Sequence, residues 1–422
     1  MARLNLHQLF AGTSTVDGFR HGITLTPDRL ASLRAAREKI REHLRKGFRA
    51  LDAAANSDKG KLLRKAFQTE AEAERLTLQP RFRMQGSFSY STVNEPAHKP
   101  PQQVDMDDGV YFPTSILNGV GPTLAADQLF KQVEFILAPL CAREGWTVTR
   151  GKPSSCVRVI LDRDAHLDLP LYAIPDEQFR HDTSLMKSQD SYLLKSYGVA
   201  GQFLDENQAM AFDAEARELD EQRYEALPAD RIMLAHRDGT WEVSDPRKLE
   251  QWFNKKKKQH GEILRFVCRY LKAWRDHCWP MPKTGPSSIC LMACTILAFE
   301  RSSIPVEQDR DDATLLMVAS MLPAILEGQI LNPAVDGASN LDSDWEPEKR
   351  QEFVSFARDL YENLPAASSG PFHDNAVRLL RDALGERVPD DISLVRTEEE
   401  ARILSVAPSR VVAPVVARST SG

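Results

Sequence analysis

The 422-residue sequence predicts an α+β protein with its strands in the N-terminal half and a helical C-terminal lobe. Two observations carry this expectation. Residues 81–175 contain segments in which apolar and polar side chains alternate, the period of a half-buried strand. Segments beginning at Thr26, near Leu124, at Ser244 and at Gly285 instead repeat apolar residues at helical spacing, and that pattern continues to about residue 388. The expected division is a core with a long N-terminal helix over 1–285, a helical lobe over 286–395, and a flexible tail over 396–422.

Thr26-Pro27-Asp28 supplies an N-cap, a proline at the first helical position and an acid in the first turn. The stripe of the following helix is Leu30, Leu33, Ile40, Leu44, Phe48 and Leu51. Arg34, Arg37, Arg41 and Arg45 form a second face, read as solvated, with a regulatory or phosphate-contacting surface as the alternative. Another helix is expected over Leu124–Ala142. Residues 176–230 are polar, with an acidic patch at Asp213–Glu225, and read as an inserted helical segment with flexible joints. Asp238-Gly239 between two short apolar runs signals a hairpin. Ser244-Asp245-Pro246 starts one long helix with a core stripe of Trp252, Ile263, Phe266, Tyr270 and Trp274. Lys255–Lys258 reads as solvated, and Arg265, Arg269 and Lys272 as an exposed polar face. Gly285-Pro286-Ser287-Ser288 caps a helix that is apolar nearly all round and hence buried. From Glu398 onward no helical period remains, so the end of the chain is expected to be disordered in isolation.

The chemistry concentrates in three short stretches. Asp105 and Asp107 alternate with Val104 and Met106, which in a strand puts both carboxylates on one face. Asp168 repeats the device, sharing a face with His166 and Tyr172 while Leu167, Leu169 and Leu171 point the other way. Carboxylates gathered so repel, and a divalent cation relieves the repulsion. Oxygen ligands without a His or Cys ligand set favour Mg²⁺, with Mn²⁺ as the alternative, and two such ions suit in-line displacement at phosphorus. Gln85-Gly86-Ser87 precedes them. A glycine allows close backbone approach to phosphate, and successive N–H groups form an anion-binding concavity. An EF-hand is excluded, because the twelfth position counted from Asp105 is Ile116. Asp162 and Asp164 read as a turn and stay outside the site.

Composition bounds the partners. The net charge of −6 gives no global field for nucleic acid, and none is expected as a partner. Six scattered cysteines with no Cys-x-x-Cys fit reduced, buried thiols in a cytoplasmic protein. The apolar run Ile289–Phe299 is too short to cross a bilayer, and Met1–Gln8 lacks a signal-peptide core, so no membrane association is expected.

The order Gly-Ser, Asp-x-Asp, distant strand Asp is the pattern of the polymerase-β-like nucleotidyltransferases. Over Thr26 to Ala298 the chain resembles the bacterial cGAS/DncV-like nucleotidyltransferases of CBASS antiphage systems, and among them most the cyclic GMP-AMP synthases. The resemblance is carried by Pro80–Tyr90, Asp105–Gly109, Asp168–Pro175, Ser244–Pro246, Val267–Asp276 and Gly285–Ile289. It implies a mixed sheet with flanking helices and a helical C-terminal lobe, with Mg²⁺ held by Asp105, Asp107 and Asp168. It implies that Gln85, Gly86 and Ser87 hold the donor triphosphate, that Tyr90 stacks on a base, and that Lys272 and Ser288 meet donor phosphates. Ser244 would contact the other nucleotide, and Arg158 would lie near the acceptor base. The implied substrates are ATP and GTP, and the implied product is 3′,3′-cyclic GMP-AMP, a second messenger in defence. Other cyclic di- or trinucleotides, a linear transfer to RNA or protein, and a non-enzymatic conjugation target are the alternatives. The resemblance also implies conjugation of Gly422 by a ubiquitin-transfer-like enzyme.

Overall fold

A computed structural model of the protein describes residues 3–55, 80–113, 122–175, 232–244, 246–333, 340–370 and 372–405. The chain opens with β1 (Leu4–Asn5), α1 (His7–Ala11) and α2 (Phe19–Gly22), then enters the long helix α3 (Pro27–Ala55). Thr26 caps α3 as the sequence predicts: its Oγ1 accepts from the Arg29 N–H at 3.2 Å. Strand β2 (Arg81–Gln85) and the one-turn helix α4 (Gly86–Ser89) follow, then β3 (Val104–Pro113) and α5 (Pro122–Glu144). Next come β4 (Thr147–Thr149), β5 (Cys156–Asp162), β6 (Ala165–Ile174) and the hairpin β7 (Met233–Ala235) and β8 (Trp241–Val243).

These strands form one mixed sheet in the order β2-β3-β6-β5-β4. Only β3 and β6 run parallel; β7 pairs antiparallel with the far end of β6, beyond the last residue that β5 reaches. Helices α3 and α5 cover one face. Leu33, Ile40, Leu44 and Phe48 of α3 and Val133, Leu137 and Leu140 of α5 are buried with Met106, Leu167 and Leu169 of the sheet. The arginines expected on a solvated face of α3 largely lean on the sheet instead. Arg41 makes two bonds to the fully buried Asp108, at 2.7 and 2.5 Å, Arg37 reaches Met84 Sδ at 3.0 Å, and Arg45 lies over the Phe82 ring.

The second lobe is helical: α6 (Pro246–His260), α7 (Glu262–Cys278), α8 (Ser288–Arg301), α9 (Asp311–Glu327), α10 (Pro347–Ser369) and α11 (His373–Leu384). The single long helix expected from Ser244 is broken, because Gly261 adopts φ +84 between α6 and α7. Arg265, Arg269 and Lys272, expected on an exposed face, are all buried. Arg265 pairs with Glu262 on its own helix at 2.7 Å and bonds the Ser91 carbonyl, Lys272 bonds the Thr92 carbonyl, and Arg269 bonds the Asn94 side chain after α4 and the Ile23 carbonyl before α3. Spacing alone cannot separate a polar face that meets water from one that meets backbone carbonyls.

The two larger apolar cores do not divide at residue 285. Leu4, Leu6, Leu9, Phe10, Phe19 and Ile23 share a core with residues of α6 to α11, whereas α3 and the sheet share the other. A 3₁₀ turn (Ile392–Leu394) leads to β9 (Arg396–Thr397), which pairs antiparallel with β1, and to α12 (Glu398–Ser405). The start of the expected flexible tail is therefore ordered. The Thr397-x-x-Glu400 sequence is a capping box, with Glu400 N–H to Thr397 Oγ1 at 3.2 Å and Thr397 N–H to Glu400 Oε2 at 2.8 Å. Gly422, the acidic patch Asp213–Glu225 and the rest of 176–231 lie outside the described residues. Among the described residues all six cysteines are free, and no helix is long and apolar enough to cross a membrane.

Asp311 ties the N-terminal segment to this lobe. It is fully buried, accepts two bonds from Arg20 at 2.8 and 2.6 Å, and also accepts from the Tyr270 hydroxyl. Replacing one partner of such a group strands the other. Asp311→Ala is expected to lower unfolding free energy by about 3–5 kcal/mol in a denaturant titration; an unchanged midpoint would contradict this account.

Candidate active site

The parallel pairing of β3 and β6 builds the site. Asp105 lies beside His166 and Asp107 beside Asp168, so four polar side chains share one face. Met106, Leu167 and Leu169 point the other way and are fully buried, which fixes the face that the carboxylates occupy. The next strand, β5, sets Arg158 opposite Asp168, and its guanidinium binds that carboxylate through two bonds of 2.7 and 2.6 Å.

The charges are not independent. Burial pushes the Asp107 carboxyl well above the usual carboxylate range, and the neighbouring Asp105 and Asp168 push it further. Burial also works to raise Asp105, but the His166 imidazole and then Arg158 outweigh it and hold that carboxyl low. One ligand atom each from Asp105, His166 and Asp168 can be chosen so that all three lie within 4.8 Å of one another. The donor set fits a divalent cation, since a carboxyl held up by two others is the group such a charge would relieve. His166 lies in that group beside the carboxylates, and its signal in the sequence is its place on the Asp168 face two residues earlier.

Gly86 is required here for a local reason. Its φ is +63, and a Cβ added to it would lie 2.1 Å from Asp107 Oδ2. The glycine thus lets the turn close over the carboxylate. The neighbouring Gln85 side chain is used elsewhere: it donates to the Tyr111 hydroxyl at 2.7 Å and accepts from Tyr172 at 3.1 Å.

A cleft of about 680 Å³ opens between the sheet and the helical lobe. Gly86, Ser87, Tyr90, Asp105, Asp107, Arg158, Lys272 and Ser288 all line it, whereas Gln85, Asp168 and Ser244 do not; Asp168 lies behind the Arg158 guanidinium that binds it. Tyr90 is 5% exposed and packs its ring against Phe253, centroids 5.9 Å apart. Burial, with Arg275 next, lowers the Lys272 ammonium to about 7. Ser288 accepts from Arg275 at 2.9 Å, and Ser287 caps α8 by accepting from the Cys290 N–H at 3.2 Å. Arg275, Lys283 and Lys349 add positive charge to the walls, and sequence reading had not singled them out.

A divalent cation at about a hundred times its Kd is expected to add about 2.7 kcal/mol of stability, read as a raised Tm. Asp107→Asn should raise the Tm of the metal-free protein and shrink the metal-dependent increment. A larger increment in that variant would contradict the repulsion described here.

The chain's relatives share this organisation. The model of the DncV-like nucleotidyltransferase domain of cyclic GMP-AMP synthases matches residues 80–172, and that of the cyclic GMP-AMP synthase C-terminal domain matches 261–397. A cyclic GMP-AMP synthase of Escherichia coli is 32% identical over 391 residues, covering 88% of this chain and 82% of that protein. The enzyme of that name from Vibrio cholerae serotype O1 is 29% identical, covering 93% of this chain and 92% of that protein. The crystal structure of Vibrio cholerae DncV with the linear intermediate 5′-pppA(3′,5′)pG superposes with a TM-score of 0.72 at 27% identity, covering 94% of this chain and 99% of that one. Escherichia coli DncV bound to 3′-deoxy GTP gives a TM-score of 0.69 at 27% identity, covering 93% and 99%. With its carboxylates on adjacent parallel strands, its glycine turn closed over one of them and its helical second lobe, the chain belongs to the DncV-like family of nucleotidyltransferases.

Proposed function

We propose that this nucleotidyltransferase joins ATP and GTP into 3′,3′-cyclic GMP-AMP, releasing pyrophosphate at each of two steps. The observation that carries the reading is the carboxylate face of β3 and β6, with Asp105 and Asp107 in the wall of one cleft that the helical lobe also lines. A cleft of about 680 Å³ lies within the usual range of small-molecule sites, which suits a second nucleotide as acceptor better than a polymer. The relatives named cyclic GMP-AMP synthase, and the DncV structure holding a linear pppApG intermediate, support the same product.

In this reading Asp105, Asp107 and Asp168 hold the divalent cation, Mg²⁺ or Mn²⁺. When bound, such a cation neutralises charge building on the α-phosphate and acidifies the attacking hydroxyl. The remaining work belongs to the chain. The Gly86–Ser87 turn offers N–H groups and the Ser87 hydroxyl to the donor triphosphate. Lys272 and the Arg275–Ser288 pair supply further contacts from the helical lobe. Asp168 accepts the proton of the attacking ribose hydroxyl once Arg158 has released it, and Arg158 then turns to the acceptor nucleotide. The α-phosphate of the donor is attacked, the bond to pyrophosphate breaks, and the linear dinucleotide is re-seated for a second transfer that closes the ring.

The direct test is product analysis. Purified protein with ATP, GTP and Mg²⁺ should form a phosphatase-resistant dinucleotide of cyclic GMP-AMP mass. Only linear, phosphatase-sensitive products would refute the assignment. Asp168→Asn should lower kcat by at least about a hundredfold; an unchanged rate would remove Asp168 from the chemistry.

Lys272 gives a pH prediction. With its unliganded value lowered to about 7, the ammonium is charged below pH 7 and increasingly neutral above it. A bound triphosphate favours the charged form and raises that value. Nucleotide affinity should therefore weaken between about pH 7 and 9, by up to about tenfold per unit. Lys272→Arg, charged throughout, should flatten the profile; an identical slope in that variant would exclude Lys272 as the cause.

A further inference from the structure

The lysine and arginine side chains in the wall of the cleft are Arg158, Lys272, Arg275, Lys283 and Lys349. Four of them are already engaged. Arg158 binds Asp168, Lys272 binds the Thr92 carbonyl, Arg275 binds both Asp276 and Ser288, and Lys349 lies 5.7 Å from the centroid of the Phe353 ring. Lys283 is exposed, and among the described residues nothing bonds its ammonium.

The backbone that carries this free charge is also unusual. Met281–Thr284 form a tight turn, in which Thr284 donates to the Met281 carbonyl from Oγ1 at 2.7 Å and from its N–H at 3.4 Å. Pro282 fixes the second position of the turn, and Lys283 takes the third with φ +66. That is the type II arrangement, whose third position suits glycine or asparagine better than lysine. A long side chain held there is a backbone outlier of the kind found at ligand clamps.

The turn belongs to the donor side of the cleft. It joins α7, which carries Lys272 and Arg275, to α8, which begins at Ser288. Arg275 fastens the chain that follows the turn, donating to the Pro286 carbonyl at 3.4 Å and to the Ser288 hydroxyl at 2.9 Å. A donor nucleotide with its α-phosphate at the carboxylates extends its outer phosphates toward these groups.

We propose that Lys283 binds the β- and γ-phosphates of the donor nucleotide, the pair that departs as pyrophosphate. An ammonium on a flexible stem acts as a point charge toward several phosphate oxygens, and one without a protein partner gives up no bond to reach them. Charge gathers on those phosphates as the bond to the α-phosphorus breaks, so the contact strengthens toward the transition state. This inference rests on the nucleotidyl-transfer reading and adds to it a residue and the group that it holds.

The test is calorimetry on the full-length protein with Mg²⁺, using inorganic triphosphate as one probe and adenosine monophosphate as the other. Lys283→Asn fits the left-handed turn while removing the charge, so its Tm should match or exceed that of the unsubstituted protein. It should lose at least about tenfold in triphosphate affinity and keep its affinity for the monophosphate. Lys283→Gly, which suits the same φ, should behave as the asparagine variant does, and Lys283→Arg should retain triphosphate binding. Undiminished triphosphate binding in both uncharged variants, or equal losses for the two probes, would overturn the inference and leave nucleotidyl transfer intact. Failure of the unsubstituted protein to bind triphosphate would overturn the donor-site reading as well.

Discussion

Crowding of like charge on two adjacent parallel strands is the constraint around which this molecule is arranged. The β3–β6 register sets Asp107 beside Asp168 with Asp105 one pleat away, and burial together with its two neighbours raises the cost of ionising Asp107. Each neighbour answers that cost. Arg158 clamps Asp168 from the next strand, His166 stands against Asp105, and Gly86 leaves out the side chain that would collide with Asp107. The apolar backs of the same strands, locked under α3 and α5, prevent a one-residue slip that would swing the carboxylates into the core.

The second lobe supplies what the sheet cannot. Its buried cations Arg265, Arg269 and Lys272 bond Ser91, Asn94 and Thr92 in the chain that follows the glycine turn, so that turn is held from both sides. Anchoring of the N-terminal segment through Asp311, and of residues 396–405 through β9 and α12, completes the lobe that faces the acidic strands. Positive charge on that side and negative charge on the other leave a cleft suited to a nucleotide triphosphate between them.

Much of this was legible in the sequence. Alternation in Val104–Asp107 and Leu167–Leu171 revealed both the strands and the face of the carboxylates, because a period of two is a local property. Capping at Thr26 and at Ser287 was equally local. What escaped reading depended on partners distant in sequence. The Arg265–Lys272 face resembled a solvated one because its carbonyl partners lie some 175 positions away. Gln85, expected at the phosphates, spends its side chain on Tyr111 and Tyr172 of neighbouring strands. His166 was visible on the right face, but its ring also meets Gln103, which spacing does not link to it. The break at Gly261 and the Thr397-x-x-Glu400 box had local signals that were outweighed by the patterns around them.

The central claim is that a divalent cation replaces Arg158 as the counter-charge of the aspartate cluster. A crystal structure with Mn²⁺ and a non-hydrolysable ATP analogue tests it most directly. The account predicts metal bound by Asp105, Asp107 and Asp168, with the Arg158 guanidinium drawn away from Asp168. Metal held elsewhere, or Arg158 still clamped by both nitrogens on Asp168 with nucleotide in place, would contradict it.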